Sequence, residues 1–378
     1  MRILLTTEFV DAPSTEIYRR LLQEMNESTG SLFHFGGRDY ENYDVIIFMG
    51  YDPDFVQARK VNPKATIGII DVRPASGIPL AGADFLLANG VEMKDFWAGS
   101  IPHILVYEPS WLVSDGRVDQ DRDDSTLRIG YHGNLVHLNE MYPRITKAIE
   151  AVAKDRSVEF TAVYNVKNLG RWTIGLPDPN IVKTQHIQWG ESVFNDYLRN
   201  VDIGITPNMT PFRNPLSAKR SHRVSRRAYL DDDTDTIIRY KSNSNAGRMM
   251  VFAQYAIPVV SDPFPSAAKF IGDEVGGLMA TTAGGWYSAL NQLAESKEYR
   301  LRMGDALREK WVREASPTVL NKRLLTLLEK IRQGDVPSSV SLAEYRDFKW
   351  TRWTIIKMRV STFTDRVKRK IRGRVNKA

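Results

Sequence analysis

A polar, glycine-containing loop leads directly into an apolar segment in KSNSNAGRMMVFAQYAIPVVSD, residues 241–262. The loop consists of Asn243, Ser244, Asn245, Ala246 and Gly247. Asn, Ser and Gly favour the start of a helix, where the first backbone N–H groups lack a partner within the helix and attract anions. We therefore predict an anion site here, to which Arg248 adds a forked donor and Lys241 a point charge. The alternative is a well-capped helix of the core.

The segment LRIGYHGN, residues 127–134, predicts a strand that ends in a second polar loop. His132 stands at the carboxyl end of this strand, where it can hydrogen-bond a ligand or assist proton transfer. Gly133 and Asn134 shape the turn and let the backbone approach a phosphate group. The alternative is a structural histidine beside an ordinary tight turn.

Composition excludes or disfavours several kinds of chemistry. The 378 residues include no cysteine, which excludes disulfides, thiolate zinc sites and cysteine nucleophiles. The six histidines show no ligand spacing, and we interpret the acidic run DDDTD, residues 231–235, as a solvated segment rather than a cation site. No P-loop or GxGxxG fingerprint occurs, which disfavours kinases and NAD enzymes. We expect no cofactor and no metal.

The candidate loops belong to a pattern of short β-branched runs that alternate with amphipathic stretches. This pattern indicates parallel sheets with crossover helices. One predicted set of strands comprises residues 2–7, 44–49, 66–70, 84–88 and 103–107. The other begins at residue 127 and continues with residues 159–164, 184–188, 202–206, 258–261 and 277–280. Helices are predicted near residues 14–27, 53–60, 91–97 and 139–153, with one or two closing helices over 297–331.

Ligands of open parallel sheets bind beyond the carboxyl ends of the strands. In the first set of strands, Glu8, Asp71, Arg73 and Glu108 follow such ends and are candidates to line a cleft. For each of these residues, an ordinary polar position on a surface loop is an equally good interpretation.

Two domains are predicted, because the chain is too long for one ordinary core. The N-terminal domain covers residues 1–111, and the C-terminal domain covers residues 127–335. The acidic stretch 112–126 reads as a linker between them. Residues 208–240 form an insertion that is far longer than a usual strand-to-helix connection, and residues 336–378 form a tail.

The order of these motifs resembles the C-terminal half of GT-B fold glycosyltransferases, particularly the large retaining family that uses nucleotide sugars. The motifs are LRIGYHGN, HIQWGESVFNDYLRNVDIGITP, NAGRMMVFAQYAIPVVSD and GGLMATTAGGWYSALNQLAES. They cover residues 127–330, whereas residues 1–126 agree in layout only. The resemblance implies an α/β fold of two Rossmann-like domains that face a cleft.

The resemblance also implies roles for particular residues. Trp189, Gly190 and Glu191 correspond to the segment that meets the nucleotide base. The loop 243–247, with Gly133 and Asn134, corresponds to the donor-phosphate site, and His132, Arg248 and Lys241 become the catalytic candidates. The expected activity is transfer of a hexose, with retention of anomeric configuration, from a nucleotide-sugar substrate to a glycan or lipid-linked acceptor bound by the N-terminal domain. The expected setting is synthesis of cell-surface polysaccharide.

The sequence departs from the family pattern at the donor site. The family usually has two glutamates where this chain has Asn243 and Val251, and often an Arg and a Lys where it has Asn134 and Asn139. Either Lys241 and Arg248 replace the usual cations, or donor handling differs, or activity has been lost. A nucleotide-sugar epimerase and a non-catalytic binding or scaffold protein are therefore the alternatives.

The basic character of the chain is concentrated in its tail. Residues 336–378 carry a net charge of +9, although the whole chain carries only +7. Residues 343–378 predict a basic amphipathic helix, with Trp350 and Trp353 near its start, that contacts an anionic membrane surface. A solvated tail or a helix packed on a partner is the alternative, and we expect no nucleic acid. Without a hydrophobic spanning run or signal segment, the expected location is the cytoplasm, at the inner face of the membrane.

Overall fold

The computed structural model describes residues 1–29, 32–72, 80, 82–113, 116, 125–134, 136–139, 141–208, 241, 243–272 and 275–334. The chain divides into two compact units, Met1–Val336 and Pro337–Ala378, and all the described residues belong to the first. The predicted tail helix, Arg73, the DDDTD run and the predicted insertion, apart from Asn208, lie outside the described residues.

The first sheet is built from six parallel strands. They are β1 (Arg2–Thr6), β2 (Leu32–Phe35), β3 (Val45–Met49), β4 (Thr66–Ile70), β5 (Phe85–Ala88) and β6 (His103–Val106). Their order across the sheet is β2-β1-β3-β4-β5-β6. Every residue of β3, β4 and β5 is buried, as expected for strands of a parallel sheet that is covered on both faces.

Five of these six strands were predicted from the sequence, and β2 was not. This strand has only four residues and lies at the edge of the sheet, where Leu32 is exposed to solvent. A short, half-exposed edge strand lacks the apolar run by which a buried strand is recognised.

Within the described residues, three α-helices connect strands of the first sheet. They are α1 (Pro13–Thr29), α2 (Phe55–Val61) and α3 (Val91–Phe96). One face of α1 is apolar, and its Leu21, Leu22 and Met25 are fully buried against the sheet. Helix α2 begins after Asp54, whose carboxylate accepts a hydrogen bond from the backbone N–H of Gln57.

The second sheet also has six parallel strands. They are β7 (Thr126–His132), β8 (Ser157–Tyr164), β9 (Lys183–Gln188), β10 (Ile203–Thr206), β11 (Val259–Ser261) and β12 (Gly277–Met279). Their order is β12-β11-β10-β7-β8-β9. All six agree with the prediction, and the two sheets together confirm the expected α/β fold of two Rossmann-like halves.

The helices of the described second half match the prediction only in part, since the helices Val166–Leu169 and Pro265–Ile271 were not predicted. The helices of this half are α4 (Val136–Asn139), α5 (Arg144–Val152), α6 (Val166–Leu169), α7 (Glu191–Arg199), α8 (Gly247–Gln254), α9 (Pro265–Ile271), α10 (Ala283–Glu295) and α11 (Lys297–Ala315). The single helix predicted over residues 139–153 is wrong, since α4 and α5 occupy this stretch with a break between them. Pro143 directly precedes α5, and a proline inside a helix removes a backbone N–H and clashes with the preceding turn.

The last described helix, α12 (Pro317–Arg332), packs on the first sheet. Its buried Leu320, Leu324 and Leu328 join the core that contains α1. Asn321 adds two hydrogen bonds between α12 and the first half. Its Oδ1 accepts a hydrogen bond from the Tyr107 hydroxyl (2.7 Å), and its Nδ2 donates to the Leu21 carbonyl (2.8 Å). Among the helices of the described part of the chain, none is long and apolar enough to cross a membrane.

Candidate functional site

A cleft of about 590 Å³ lies between the two sheets and is lined by residues of both halves. Eight of the thirteen site residues predicted from the sequence line it: His132, Gly133, Asn134, Trp189, Asn243, Asn245, Gly247 and Arg248. Val251, one of the two positions at which the family usually has a glutamate, lines it as well. The predicted residues that do not line the cleft are Gly190, Glu191, Lys241, Ser244 and Ala246.

The start of α8 brings the predicted anion-binding loop to the cleft. The Gly247 N–H donates to Asn245 Oδ1 (3.0 Å), so this donor is already paired. A Cβ at position 247 would lie 2.3 Å from the carbonyl oxygen of Pro109. The glycine is therefore required by the close approach of the segment after β6, a reason that the sequence alone did not reveal.

Arg248 uses only one of its two terminal guanidinium nitrogens for hydrogen bonds to the described residues. Its Nη2 donates to the Pro207 carbonyl (2.7 Å) and to Asn208 Oδ1 (3.3 Å). Its Nη1 is buried and has no hydrogen-bond partner among the described residues. The guanidinium also lies over the ring of Tyr131, with 5.9 Å between its central carbon and the ring centroid. A buried guanidinium nitrogen without a partner is costly, and an anionic oxygen in the cleft would satisfy it.

His132 links the end of β7 to the first turn of α8. Its Nε2 lies 3.1 Å from the Arg248 carbonyl oxygen, and because a carbonyl can only accept, Nε2 carries the proton. The ring packs edge-on against Phe194 and Phe252, with centroids 5.1 and 4.8 Å away. Burial, together with the charge of Arg248, lowers the pKa of His132 to about 3, so the imidazole is neutral near pH 7. In this arrangement His132 orients the start of α8.

A second histidine, His137 on α4, was not predicted to belong to the site. Burial and the positive charges of Arg248 and Lys241 hold its pKa well below the ordinary value. The two cations Arg248 and Lys241 thus make this region electropositive and suited to a phosphate group, while His137 itself is neutral near pH 7. In the sequence, His137 could have been suspected as a site residue only from its position shortly after the GYHGN loop.

The remaining residues of the predicted loop hold its shape. The Lys241 N–H donates to Ser244 Oγ (3.2 Å), and the Ser244 N–H donates to the Lys241 carbonyl (2.9 Å). Ser244 Oγ also accepts from Asn208 Nδ2 (3.1 Å). Ser244 and Ala246 are buried, so they support the loop from behind while Asn243 and Asn245 face the cleft.

Of the three residues predicted to meet a nucleotide base, Trp189 lines the cleft, whereas Gly190 and Glu191 do not. Trp189 lines the cleft and meets Trp111 edge-on, with 5.0 Å between ring centroids. Gly190 precedes α7, and a Cβ there would meet open space. Glu191 lies outside the cleft lining and forms an ion pair with Arg20 of α1.

The candidate residues of the first half also differ in whether they line the cleft. Asp71 lines the cleft and is buried. Glu8 instead forms an exposed ion pair with Arg38, and Glu108 accepts a hydrogen bond from Lys269 Nζ (2.9 Å). Burial raises the pKa of the Glu108 carboxyl, which the neighbouring ammonium group opposes. Of the three described candidates, only Asp71 lines the cleft.

Neither a protein-family model nor a curated protein sequence matches the chain. The solved structures that it resembles include sucrose-phosphate synthase from Thermosynechococcus elongatus, with a TM-score of 0.55, 10% identity, and coverage of 88% of this chain and 100% of that one. A glycosyltransferase from Rickettsia africae gives a TM-score of 0.52 and 10% identity, and covers 88% of this chain and 98% of its own.

A third structure is Anabaena Alr3699/HepE in complex with UDP and glucose. Its TM-score is 0.53 at 11% identity, and the match covers 87% of this chain and 100% of that chain. Identities this low establish a shared architecture and nothing finer. The likeness expected from the motifs is confirmed at that level: the chain has the GT-B fold.

Proposed function

We propose that the protein is a glycosyltransferase that moves a sugar from a nucleotide-sugar donor to a hydroxyl group of an acceptor. The observation that carries the proposal is Arg248, which lines the cleft between the two sheets and has a buried Nη1 without a hydrogen-bond partner among the described residues. A nucleoside diphosphate supplies the anionic oxygens that this nitrogen would bind.

The chemistry follows from this placement. When the bond between the sugar and the diphosphate breaks, negative charge develops on the departing phosphate oxygen. Arg248 would stabilise that charge, with Lys241 adding positive potential nearby. His132 would keep the first turn of α8 in place through its bond to the Arg248 carbonyl, and the enclosed cleft would orient the two substrates.

Finer features belong to the same proposal. We infer a hexose as the transferred sugar, retention of configuration, and a glycan or lipid-linked acceptor in cell-surface polysaccharide synthesis, all from the motif resemblance. The neighbour solved with UDP and glucose makes UDP the first nucleotide to examine. An epimerase would bind the same donor without transferring its sugar, and a scaffold protein would not turn it over.

A thermal-shift screen against UDP, GDP, ADP, TDP and CMP tests the donor site. Ligand at one hundred times its dissociation constant should stabilise the protein by about 2.7 kcal/mol. Arg248→Ala should remove most of the shift caused by the nucleotide that binds. The matched control is Arg308→Ala, because Arg308 also bonds backbone carbonyls, those of Gly116 and Gln254, and does not line the cleft.

The outcomes separate the alternatives. A shift that Arg248→Ala loses and Arg308→Ala keeps supports the phosphate site. If no nucleotide shifts the melting temperature, the donor-site proposal fails and a scaffold role becomes the better explanation. Sugar nucleotide that is converted to a second sugar nucleotide, without transfer to any acceptor, would indicate the epimerase.

Membrane contact by the tail is a further part of the proposal, supported by the net charge of +9 on residues 336–378. It would place the enzyme at the inner face of the membrane. The full-length protein should sediment with vesicles that contain phosphatidylglycerol and not with phosphatidylcholine vesicles. Because salt screens exposed charges, binding should weaken at 1 M NaCl. Equal binding to both kinds of vesicle would contradict an electrostatic membrane contact.

A further inference from the structure

Ser110 follows the last strand of the first sheet but adjoins the start of α8 in the second half. The carbonyl carbon of Pro109, to which the Ser110 nitrogen is bonded, lies 3.5 Å from the position of a Cβ at Gly247. Gly247 is the first residue of α8, and Arg248 is the second. The Ser110 backbone therefore lies beside the helix start at which we propose that the diphosphate binds.

Two hydrogen bonds at the other end of α8 fix the same segment. Gln254, the last residue of the helix, donates from Nε2 to the Trp111 carbonyl (2.9 Å) and accepts at Oε1 from the Val113 N–H (3.1 Å). Gln254 is buried, so these bonds are shielded from water. The position of Ser110 is thus set by contacts with α8 on both sides of it.

The Ser110 side chain is buried and lacks a partner. Only 3% of the residue is exposed, and its Oγ has no hydrogen-bond partner among the described residues. Ser110 nevertheless lines the cleft, as Arg248 does. A buried hydroxyl that stays unpaired costs free energy, and a ligand that bonds to it removes this cost.

The surroundings of Ser110 favour an anionic ligand. The start of α8 presents backbone N–H groups and the positive end of the helix dipole, and Arg248 Nη1 is buried without a described partner. The Gly247 N–H is already paired with Asn245 Oδ1, so an anion at this place gains from a further donor. A serine hydroxyl can donate to an anionic oxygen without adding a charge of its own.

We infer that Ser110 is a ligand of the donor diphosphate, contributed by the first half of the molecule. Its hydroxyl donates to a phosphate oxygen, while Arg248 binds the same diphosphate from the second half. The nucleotide therefore bridges the two halves, and its affinity depends on a residue outside the predicted donor motifs. This inference rests on the proposed function, and it assigns Ser110 to the donor rather than to the acceptor.

The test measures UDP binding to the full-length protein by calorimetry, without acceptor and without a transferable sugar. Another nucleoside diphosphate and its nucleoside replace UDP and uridine if the thermal-shift screen identifies them. Ser110→Ala should weaken UDP binding about 10-fold to 100-fold, because a hydrogen bond to a charged group is lost. Uridine, measured by displacement of UDP, should bind this variant as it binds the wild type, since it carries no phosphate.

Two further variants separate ligand binding from folding. Thr15→Val is the matched control, because Thr15 Oγ1 is also buried without a described partner but the residue does not line the cleft. It should keep the UDP affinity within twofold. Ser110→Cys keeps the approximate size of the side chain with a weaker donor, so its UDP affinity should lie between those of Ser110→Ala and the wild type. Neither Ser110 variant should lower the melting temperature of the free protein, because no hydrogen bond of this side chain to the described residues is removed.

The outcomes separate this inference from the proposed function. UDP affinity of Ser110→Ala within twofold of the wild type overturns the inference, even if transfer to an acceptor is impaired, because Ser110 would then serve the acceptor. An equal loss of affinity for uridine also overturns it, since Ser110 would then contact the base or the ribose. If the wild-type protein binds no nucleoside diphosphate, the proposed function itself fails. If Arg248→Ala weakens UDP binding and Ser110→Ala does not, only the inference fails.

Discussion

Arg20 and Glu191 form a bidentate ion pair that joins the two halves of the molecule. The distances are 2.7 Å from Nη1 to Oε1 and 2.8 Å from Nη2 to Oε2. The Arg20 guanidinium also lies over the Trp111 ring, 4.6 Å from its centroid, and Trp111 in turn meets Trp189. A residue expected beside a nucleotide base thus participates in a connection between α1 and α7.

Glu191→Gln should change the free energy of unfolding by less than about 1 kcal/mol, because an exposed ion pair contributes little. The Glu191 side chain is 58% exposed. Arg20 lowers the pKa of Glu191, so the contribution is present above the ordinary value of 4.5 and is lost as the pH falls below it. Urea unfolding at pH 7 and pH 4 should show the difference from wild type shrinking at the lower pH. A loss above 2 kcal/mol would mean that the pair has a larger structural role.

Gly133→Ala should weaken nucleotide binding. Gly133 has a φ of 135°, and a Cβ there would lie 2.9 Å from Arg248 Cδ. The new methyl group strains the turn and displaces the guanidinium. The measurement is the melting temperature with and without the nucleoside diphosphate.

Gly190→Ala is the matched control for that experiment. A Cβ at Gly190 meets nothing within 4 Å, and the backbone is extended there, so alanine should fit. This variant should keep the nucleotide-induced shift. If both variants respond to nucleotide as the wild type does, the position of Arg248 does not govern binding.

The sequence predicted the framework of the site because that framework depends on local patterns. β-Branched runs revealed eleven of the twelve strands, and the end of each strand indicated where a cleft would lie. His132 and Gly133 were predicted in this way, and Arg248 was predicted from the polar loop at the start of a helix. Their relation to one another, a histidine bonded to the carbonyl of an arginine 116 positions away, involves two distant segments and has no local signal.

The parts that the sequence did not predict depend on contacts between distant segments. Whether Glu191 faces a ligand or Arg20 is decided by the approach of α1. The left-handed conformation of Asp71 results from the packing of the segment that follows β3. The return of α12 to the first sheet depends on which apolar surface is left uncovered, and periodicity cannot reveal that.

His132→Phe should remove part of the loss of stability on mild acidification. The unfolded chain binds a proton at this histidine below about pH 6.5, whereas the folded protein binds it only near pH 3. Stability is therefore lost as the pH falls, by about 1.4 kcal/mol per unit for one proton, or about 2 kcal/mol between pH 6.5 and pH 5.

The measurement is urea unfolding of both proteins at pH 7 and pH 5. The phenylalanine variant keeps His137 and His186, whose pKa values are also lowered, so their contributions cancel in the comparison. Equal pH dependence in the two proteins would show that His132 is protonated as easily when folded as when unfolded.

Asp262→Asn should be strongly destabilising, because Asp262 is fully buried and is the charged centre of a network behind the cleft. It accepts hydrogen bonds from Arg144 Nη1 (2.8 Å), the Asn208 N–H (2.9 Å) and Trp286 Nε1 (3.3 Å). Removing one partner of a buried ion pair leaves the other charge uncompensated and costs about 3–5 kcal/mol. Because Asn208 Oδ1 in turn accepts from Arg248 Nη2, the variant should also lose part of its response to nucleotide.

The control for this comparison is Asp84→Asn. Asp84 pairs with Arg59 (2.6 Å), but both side chains are about one-third exposed, so the loss should be close to 1 kcal/mol. Urea unfolding measures both losses, and a thermal shift with the nucleoside diphosphate measures the link to the cleft. Equal losses for the two variants would mean that water already reaches Asp262. A large loss of stability with an unchanged nucleotide response would mean that Pro207 alone is enough to hold Arg248 in place.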